Sequence, residues 1–232
     1  MEKCNIKDAL NDGFPIIMGF IPIAMAFGIL SKSAGITLME SVGFSMMVFA
    51  GASQFIALNL LIAGASIGEI ILTTLLVNFR HFLFAASLSP KITKDMKKAV
   101  PLIAFGLTDE TFSVASLKEK ALTKEYMLVL EFSVYSAFAG GTLLGYVLGG
   151  ILPTVVQLSM GIALYALFTA ILVPEMKKSS KVIILLILSG IINTGCLYGL
   201  KLSQGWSIII SIVLVSILGM FIKVEKGEVC HE

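Results

Sequence analysis

Charged side chains are scarce along the whole of this chain. They make up 14% of its 232 residues, and Arg80 is the only arginine. An average soluble protein carries roughly 25% charged residues, so an ordinary soluble domain is excluded. The net charge of +2 is small, and no basic groove with interleaved aromatic residues is present. Nucleic acid is therefore not an expected partner.

Cysteine is also rare, and the motifs of several enzyme classes are missing. Cys4, Cys196 and Cys230 are odd in number and far apart, so no disulfide framework is predicted. The chain has no G-x-x-x-x-G-K-[ST] motif, so ATP is not an expected ligand, and it has no H-E-x-x-H motif. We therefore expect no catalytic residues, no metal site and no cofactor, and we do not expect an enzyme.

Apolar residues, by contrast, account for 57% of the chain. A helix needs around 20 apolar residues to cross the hydrocarbon core of a bilayer. Eight segments approach that length: 14–31, 41–63, 67–89, 100–117, 126–149, 154–174, 182–200 and 206–222. The sequence predicts an all-α polytopic membrane protein, a helical bundle in which residues 1–232 form a single transmembrane domain.

Two of these segments contain residues that interrupt a helix. Segment 14–31 includes Pro15 and Pro22, and segment 100–117 carries Thr108-Asp109-Glu110 at its centre. Irregular backbone at membrane depth survives only where protein or a water-filled cavity surrounds it. We therefore predict two broken or re-entrant helices, at 14–31 and 100–117, and six full spans that include 41–63.

Short matches recur along the chain at a nearly constant offset. Pro15-Ile16-Ile17 is followed 86 residues later by Pro101-Leu102-Ile103, and Phe49-Ala50-Gly51 is followed 89 residues later by Phe138-Ala139-Gly140. The pattern predicts an internal repeat with halves at about 13–91 and 99–175, and an extra helical pair at 182–222.

The positions of the sixteen lysines favour one topology. If both broken segments return to the side they entered from, fifteen lysines share one side and Lys201 alone lies on the other. If every segment crosses, the division is ten to six. Because cytoplasmic loops carry the excess of Lys and Arg, the first topology is favoured, with both termini cytoplasmic. Eight spans with inverted halves is the alternative.

Ionisable residues within apolar sequence are the candidate functional residues. Arg80 lies inside an apolar segment, where a charge is costly unless it faces a cavity or a partner. A guanidinium group can bind a carboxylate in a bidentate manner, and the neighbouring His81 is a candidate for proton handling. At a helix break, the N-terminus of a half-helix favours an anion and exposed carbonyls favour an ammonium group. Asp109 and Glu110 are therefore candidates for substrate binding and for proton coupling.

Small and polar residues also occur in the middle of predicted spans. Ser53 and Gln54 are suited either to bonding between helices or to lining a pathway. Gly141, Gly145 and Gly149 form a stripe that predicts close helix packing, within the fold or against another subunit. For Glu131 we predict no more than a bond between helices or an interfacial position.

Together these motifs resemble the AzlC family, whose members are large subunits of two-component exporters of branched-chain amino acids. The resemblance rests on VFAGASQF at 48–55, LLVNFRHFLFAASLSP at 75–90 and AFGLTDETF at 104–112, preceded by the proline-containing stretch 13–30. It is strong up to about residue 112 and loose after about 125.

The resemblance implies efflux of valine, leucine and isoleucine across the cytoplasmic membrane. It also implies a small membrane partner of the AzlD type. The family's characteristic polar positions, with Thr108 added from the break itself, give the candidate substrate-binding residues Ser53, Gln54, Asn78, Arg80, Thr108, Asp109 and Glu110. The candidate proton-coupling residues are His81, Asp109 and Glu110. An alternative is a structural or assembly subunit whose partner carries the pathway.

Overall fold

The computed structural model describes residues 4–118, 121–151 and 179–221, with isolated positions between 153 and 177. The described residues are mostly helical and contain no β-strand, and five helices are long and apolar enough to cross a membrane. The predicted all-α polytopic fold is confirmed. The α-helices are α1 Ile6–Ser33, α2 Leu38–Val48, α3 Gly51–Ile62, α4 Ile67–Leu88, α5 Val100–Gly106, α6 Asp109–Leu117, α7 Lys124–Leu148, α8 Ser180–Thr194 and α9 Gln204–Phe221.

The predicted break in segment 14–31 is wrong, because α1 runs through Pro15 and Pro22 without interruption. Its 28 residues correspond to ~42 Å of helix. A proline removes one backbone donor, but helices in membranes tolerate this where neighbouring helices support them. Here α7 supplies the support, since α1 packs along the length of α7.

The α1–α7 pair is close because glycines lie at the contact. A Cβ atom on Gly28 would lie 2.2 Å from the Thr142 carbonyl oxygen, and one on Gly145 would lie 2.1 Å from the Met25 carbonyl oxygen. The predicted packing stripe is thus confirmed within the fold, with Gly141 against Ala24 at its other end. Further along the contact, Gly13 lies against Leu130, Phe20 against Phe138 and Ile29 against Gly149. The order is the same on both helices, so α1 and α7 are parallel.

The prediction of an unbroken span at 41–63 is also wrong. The chain leaves α2 at Phe49, which has a left-handed backbone (φ 42°), and starts α3 at Gly51. The Gln54 amide nitrogen donates to the Ser45 hydroxyl oxygen at 3.0 Å, and both Phe44 and Phe55 pack on Phe27. The chain therefore doubles back at Phe49, and α2–α3 is a helical hairpin.

The predicted break in segment 100–117 is confirmed. Leu107 and Thr108 are extended, between α5 and α6. Lys91, before α5, donates from Nζ to the backbone carbonyl oxygen of Lys118, after α6, at 3.0 Å. Because the chain that leads into the segment is bonded to the chain that follows it, α5–α6 is a second helical hairpin that returns to the side from which it began.

The two hairpins enter from opposite ends of the α1–α7 pair. The first begins near the end of α7, where the Tyr146 hydroxyl donates to the Ile36 carbonyl oxygen. The second ends near the start of α1, where Lys118, just after α6, pairs with Asp12. Each hairpin therefore places its turn beside the middle of α7.

The turns of the two hairpins meet at aromatic side chains. The ring centroids of Phe49 and Phe105 are 6.4 Å apart. Tyr135 of α7 contacts both rings, at 5.1 Å and 6.1 Å, and its hydroxyl donates to the Met46 carbonyl oxygen near the end of α2. A rigid aromatic cluster thus holds the two interrupted elements together.

The chain divides into two compact units, and the contacts above all lie in the first, residues 1–58 and 77–163. In the second unit, residues 59–76 and 164–232, polar contacts join its helices. The Ser203 hydroxyl donates to Glu69 near the start of α4, and the Ser207 hydroxyl donates to the Asn193 side-chain oxygen at 2.6 Å.

The repeat predicted at 13–91 and 99–175 extends past residue 151, where few residues are described, and it stays a prediction. A different recurrence is visible, in which a long helix followed by a hairpin occurs twice. Phe27 packs against Phe55 in the first copy and Phe84 against Phe112 in the second. Both residues of the second pair lie 57 positions after those of the first (84 − 27 and 112 − 55).

Candidate functional site

An ion pair lies at the turn of the second hairpin. Arg80 Nη1 is 2.9 Å from Asp109 Oδ2, and the two side chains are 29% and 24% exposed. Arg80 falls near the middle of a span candidate of 25 residues, Ile67–Lys91. Asp109, the first residue of α6, therefore lies at the same depth, in the interior of the span and away from its ends.

The pair is one of three contacts that hold α4 and α6 side by side. The rings of Phe84 and Phe112 stack with centroids 4.5 Å apart. Beyond them, Lys91 Nζ donates to the carbonyl oxygens of Ser116 at 2.6 Å and of Lys118 at 3.0 Å. A cation at the end of a helix satisfies carbonyls that have no partner within the helix. Both ends of α6 are therefore bound to cations, one at Arg80 in α4 and the other at Lys91, just after α4.

Thr108 begins α6 as its N-cap. Its hydroxyl accepts from the Thr111 amide, and the Thr108 amide donates to the Thr111 hydroxyl at 2.8 Å. This reciprocal arrangement fixes the direction in which α6 starts. It places Asp109 and Glu110 in the first turn, where the helix dipole favours negative charge. Thr108 thus positions the two carboxylates, and its own hydroxyl is already engaged.

Two buried polar atoms in this stretch of α4 have no hydrogen-bond partner among the described residues. They are Arg80 Nε and Asn78 Oδ1. Buried polar groups in native proteins are normally bonded, so the unmatched Nε donor on the guanidinium that forms the ion pair is a feature of a polar binding site. His81, next in the chain, lies with its ring 6.0 Å from that of Phe84.

The structure places Ser53 and Gln54 at the turn of the first hairpin. Both side chains are fully buried. The Ser53 hydroxyl donates to the Ala50 carbonyl oxygen, and Gln54 Oε1 accepts from the Ala50 amide at 3.3 Å. The Ser45 hydroxyl bonds in turn with the Thr142 hydroxyl at 2.8 Å. These two candidates therefore satisfy the backbone at a turn and connect it to α7, apart from the Arg80–Asp109 pair.

Glu131 of α7 has an environment that sequence reasoning missed. Its side chain is 4% exposed, and neither carboxyl oxygen has a partner among the described residues. It packs against Gly106, the last residue of α5, where an added Cβ would be 2.6 Å from Oε2. The available signal was a single acidic residue between Leu130 and Phe132 in an otherwise apolar stretch. Carboxylates that bond between helices occur in similar sequence, so this signal alone does not distinguish Glu131 from them.

An apolar cavity of about 580 Å³ flanks Glu131. Its walls come from α5 and α7, and they include Leu102, Phe105 and Phe132. Within the described part of the chain, no cluster of His, Cys, Asp and Glu side chains is arranged to hold a metal ion.

Comparisons with known proteins agree on one family. A sequence model of that family, described as AzlC protein, matches residues 15–152. Inner membrane protein YgaZ of Escherichia coli is 34% identical over 82% of this chain and 78% of its own length. An uncharacterized membrane protein of Archaeoglobus fulgidus is 36% identical over 76% of the chain and 78% of its own length.

A relative with a named substrate is more distant. The branched-chain amino acid transport protein AzlC of Bacillus subtilis is 27% identical over 75% of this chain and 69% of its own length. No solved structure matches the chain.

Proposed function

The chain belongs to the AzlC family, and from this premise we propose that it is the large subunit of an exporter of branched-chain amino acids. The substrates would be valine, leucine and isoleucine, carried across the cytoplasmic membrane. The name of the Bacillus subtilis relative supports this substrate class. The observation that carries the proposal is the Arg80–Asp109 ion pair, half-buried at a helix break within a membrane span.

A zwitterionic amino acid has complementary groups for this pair. Its carboxylate would bind the guanidinium of Arg80, whose Nε has no partner among the described residues. Its ammonium group would bind a carboxylate in the first turn of α6, either Glu110 or Asp109 once the substrate displaces the ion pair. An arginine that already holds one carboxylate can exchange it for another of the same geometry.

Coupling of transport to protons is part of the proposal, as is a small AzlD-type partner. The sequence candidates for coupling are titratable residues of the ion pair or next to it in the chain: Asp109 itself, His81 after Arg80, and Glu110 after Asp109. The family resemblance supports the partner. The outer faces of α4 and α8 are apolar and little buried within the chain, so they are suited to contact with lipid or with a membrane-spanning partner.

We propose the N-terminus on the cytoplasmic side. We take α1 as a full crossing, α2–α3 as a return, and 154–174 as the span that its sequence predicts. Fourteen of the sixteen lysines are then assigned to the side of the N-terminus, and only Lys32 and Lys201 to the other. The excess of lysine belongs in the cytoplasm.

The test measures branched-chain amino acids inside cells fed with dipeptides that contain valine and leucine. A strain that lacks the chain is compared in three forms. It receives the wild-type chain alone, the wild-type chain with an AzlD-type membrane protein, or the Arg80→Gln variant with that same protein. We expect intracellular valine to fall when both wild-type proteins are present and to stay high with Arg80→Gln. Equal valine levels in all strains, with the proteins inserted in the membrane, would contradict the proposal.

A further inference from the structure

The carboxyl group of Glu131 is the one buried acidic group in the first unit that has no partner among the described residues. Asp109 is paired with Arg80, and Asp12 is paired with Lys118 and accepts from the Tyr126 hydroxyl. An ionised carboxylate out of water needs a cation or several hydrogen-bond donors. Glu131 has neither, so its surroundings suit a carboxylic acid that carries its own proton.

No charge on the neighbouring elements is bonded to Glu131. Helix α5, which covers it, carries no titratable residue. Four other elements pack against α7: α1, α2, the turn before α5, and α6. Their charged residues with described side chains are Lys7, Asp8, Asp12 and Lys32 on α1, Glu40 on α2, Asp95, Lys97 and Lys98 in the turn, and Asp109 and Glu110 on α6. Tyr135 lines the cavity beside Glu131, and its hydroxyl donates to the Met46 carbonyl oxygen.

The position of Glu131 connects it to the helix break. It packs on Gly106, and the chain leaves α5 at the next residue to reach Asp109. Residue 106 must be glycine while Glu131 occupies this place, because a Cβ would lie within 2.8 Å of three Glu131 atoms. If the hairpin turn moves away from α7, the carboxyl group becomes accessible, and its ionised form can then be hydrated.

We propose that Glu131 is the residue that carries the transported proton. A proton from water on one side of the membrane binds the carboxylate when the turn of the second hairpin lies away from α7. The resulting carboxylic acid is enclosed when Gly106 packs on it, and it releases the same proton to water on the other side after the turn reopens. This inference rests on the proposed transport function, and it assigns coupling to Glu131 in place of the residues beside Arg80.

The experiment compares two transport modes in vesicles that contain the full chain with its small partner. One mode is exchange of labelled valine for unlabelled valine at equal pH, which needs no net proton movement. The other is valine accumulation driven by a pH gradient. The variants are Glu131→Gln, Glu131→Asp and the matched control Glu125→Gln, which alters an exposed carboxylate on the same helix.

We expect Glu131→Gln to retain valine exchange and to lose accumulation driven by the pH gradient. Glu131→Asp should retain part of the accumulation, and Glu125→Gln should behave as wild type. The proposal is overturned if Glu131→Gln still accumulates valine like wild type, or if it is inserted but loses exchange as well.

Infrared spectroscopy gives a readout that does not depend on the substrate. The carbonyl stretch of a protonated carboxyl group should be present in the wild type, lost in Glu131→Gln and retained in Glu125→Gln. If that band is unchanged in Glu131→Gln, the Glu131 assignment fails. If the wild-type vesicles exchange no valine while the band behaves as expected, it is the proposed substrate that fails.

Discussion

Arg80 of α4 and Asp109 of α6 are joined by a 2.9 Å ion pair in the interior of a membrane span. Each is the nearest compensating charge of the other, so neither can be removed without leaving a half-buried charge. The pair also links a continuous helix to the first residue after a helix break. A ligand that separates the two charges would therefore act directly on the position of the second hairpin.

Replacing either member of this pair should strongly weaken export while the protein remains inserted. Arg80→Gln removes a charge-assisted hydrogen bond, which is worth about 1.5–3 kcal/mol and corresponds to a rise of roughly 10- to 150-fold in the KM for valine. Asp109→Asn should reduce transport similarly. Arg80→Lys should retain part of the activity, because a point charge remains without the planar geometry. Initial rates of valine transport measure all three.

Asp95→Asn is a suitable control for these variants, because Asp95 is an exposed carboxylate in the turn before α5. It should leave valine transport unchanged. Wild-type rates in both Arg80→Gln and Asp109→Asn would show that the ion pair has only a structural role.

This site could be predicted because its signal was chemical. A lone arginine and two adjacent carboxylates in apolar sequence need compensating groups, and Arg80 and Asp109 form an ion pair with each other. The break at Thr108 was visible for the same reason, since a polar cluster divides a short apolar segment. A charged side chain within the membrane is costly unless it has a partner. A charged residue in apolar sequence therefore indicates that a compensating group lies close to it in the structure.

The location of the other hairpin could not be predicted from such signals. Pro15 and Pro22 indicated a break, but α1 is continuous and in close contact with α7 through Gly28 and Gly145, which is a tertiary effect. At Phe49 the break occurs in apolar sequence without proline, and it is stabilised by Gln54, whose partner Ser45 is nine residues away. Neither the α1–α7 contact nor the Gln54–Ser45 hydrogen bond can be predicted from the residues adjacent in sequence.

Thiol labelling should distinguish the two groups of candidate residues. With the three native cysteines replaced by alanine, Asp109→Cys should react with a polar thiol reagent, because residue 109 is partly exposed. Gln54→Cys should not react, because residue 54 is fully buried. Glu40→Cys, exposed at the start of α2, serves as the positive control.

Labelling of Gln54→Cys that is blocked by valine would contradict the structural role given to Gln54. It would place the first hairpin turn in the transport pathway. Failure of Asp109→Cys to react, with Glu40→Cys fully labelled, would count against a polar pathway at the ion pair.

The glycines between α1 and α7 should be required for stability. Alanine at Gly28 or Gly145 puts a Cβ about 2.1–2.2 Å from a backbone carbonyl oxygen, which forces the helices apart. Such overpacking lowers the free energy of unfolding by about 1–3 kcal/mol, sometimes more. Gly140→Ala is the matched control on α7, since its Cβ meets nothing within 4 Å. Thermal unfolding in detergent should show a lower Tm for the first two variants only, and an equal Tm for Gly28→Ala and Gly140→Ala would disprove the close contact.

Lys91 should stabilise the second half of the α5–α6 hairpin, because its ammonium group donates to carbonyl oxygens at the end of α6. Lys91→Met keeps the aliphatic length and removes the donors. Since the side chain is partly exposed, we expect a local loss of ~1 kcal/mol, which is about fivefold faster amide exchange. Hydrogen exchange by mass spectrometry should show this increase in residues 109–118 and leave α1 unchanged. Lys98→Met, which alters an exposed lysine in the turn before α5, should have no such effect. If Lys91→Met exchanges like Lys98→Met, the carbonyl contacts contribute nothing to the hairpin, and the Arg80–Asp109 pair and the Phe84–Phe112 stack hold α6 against α4.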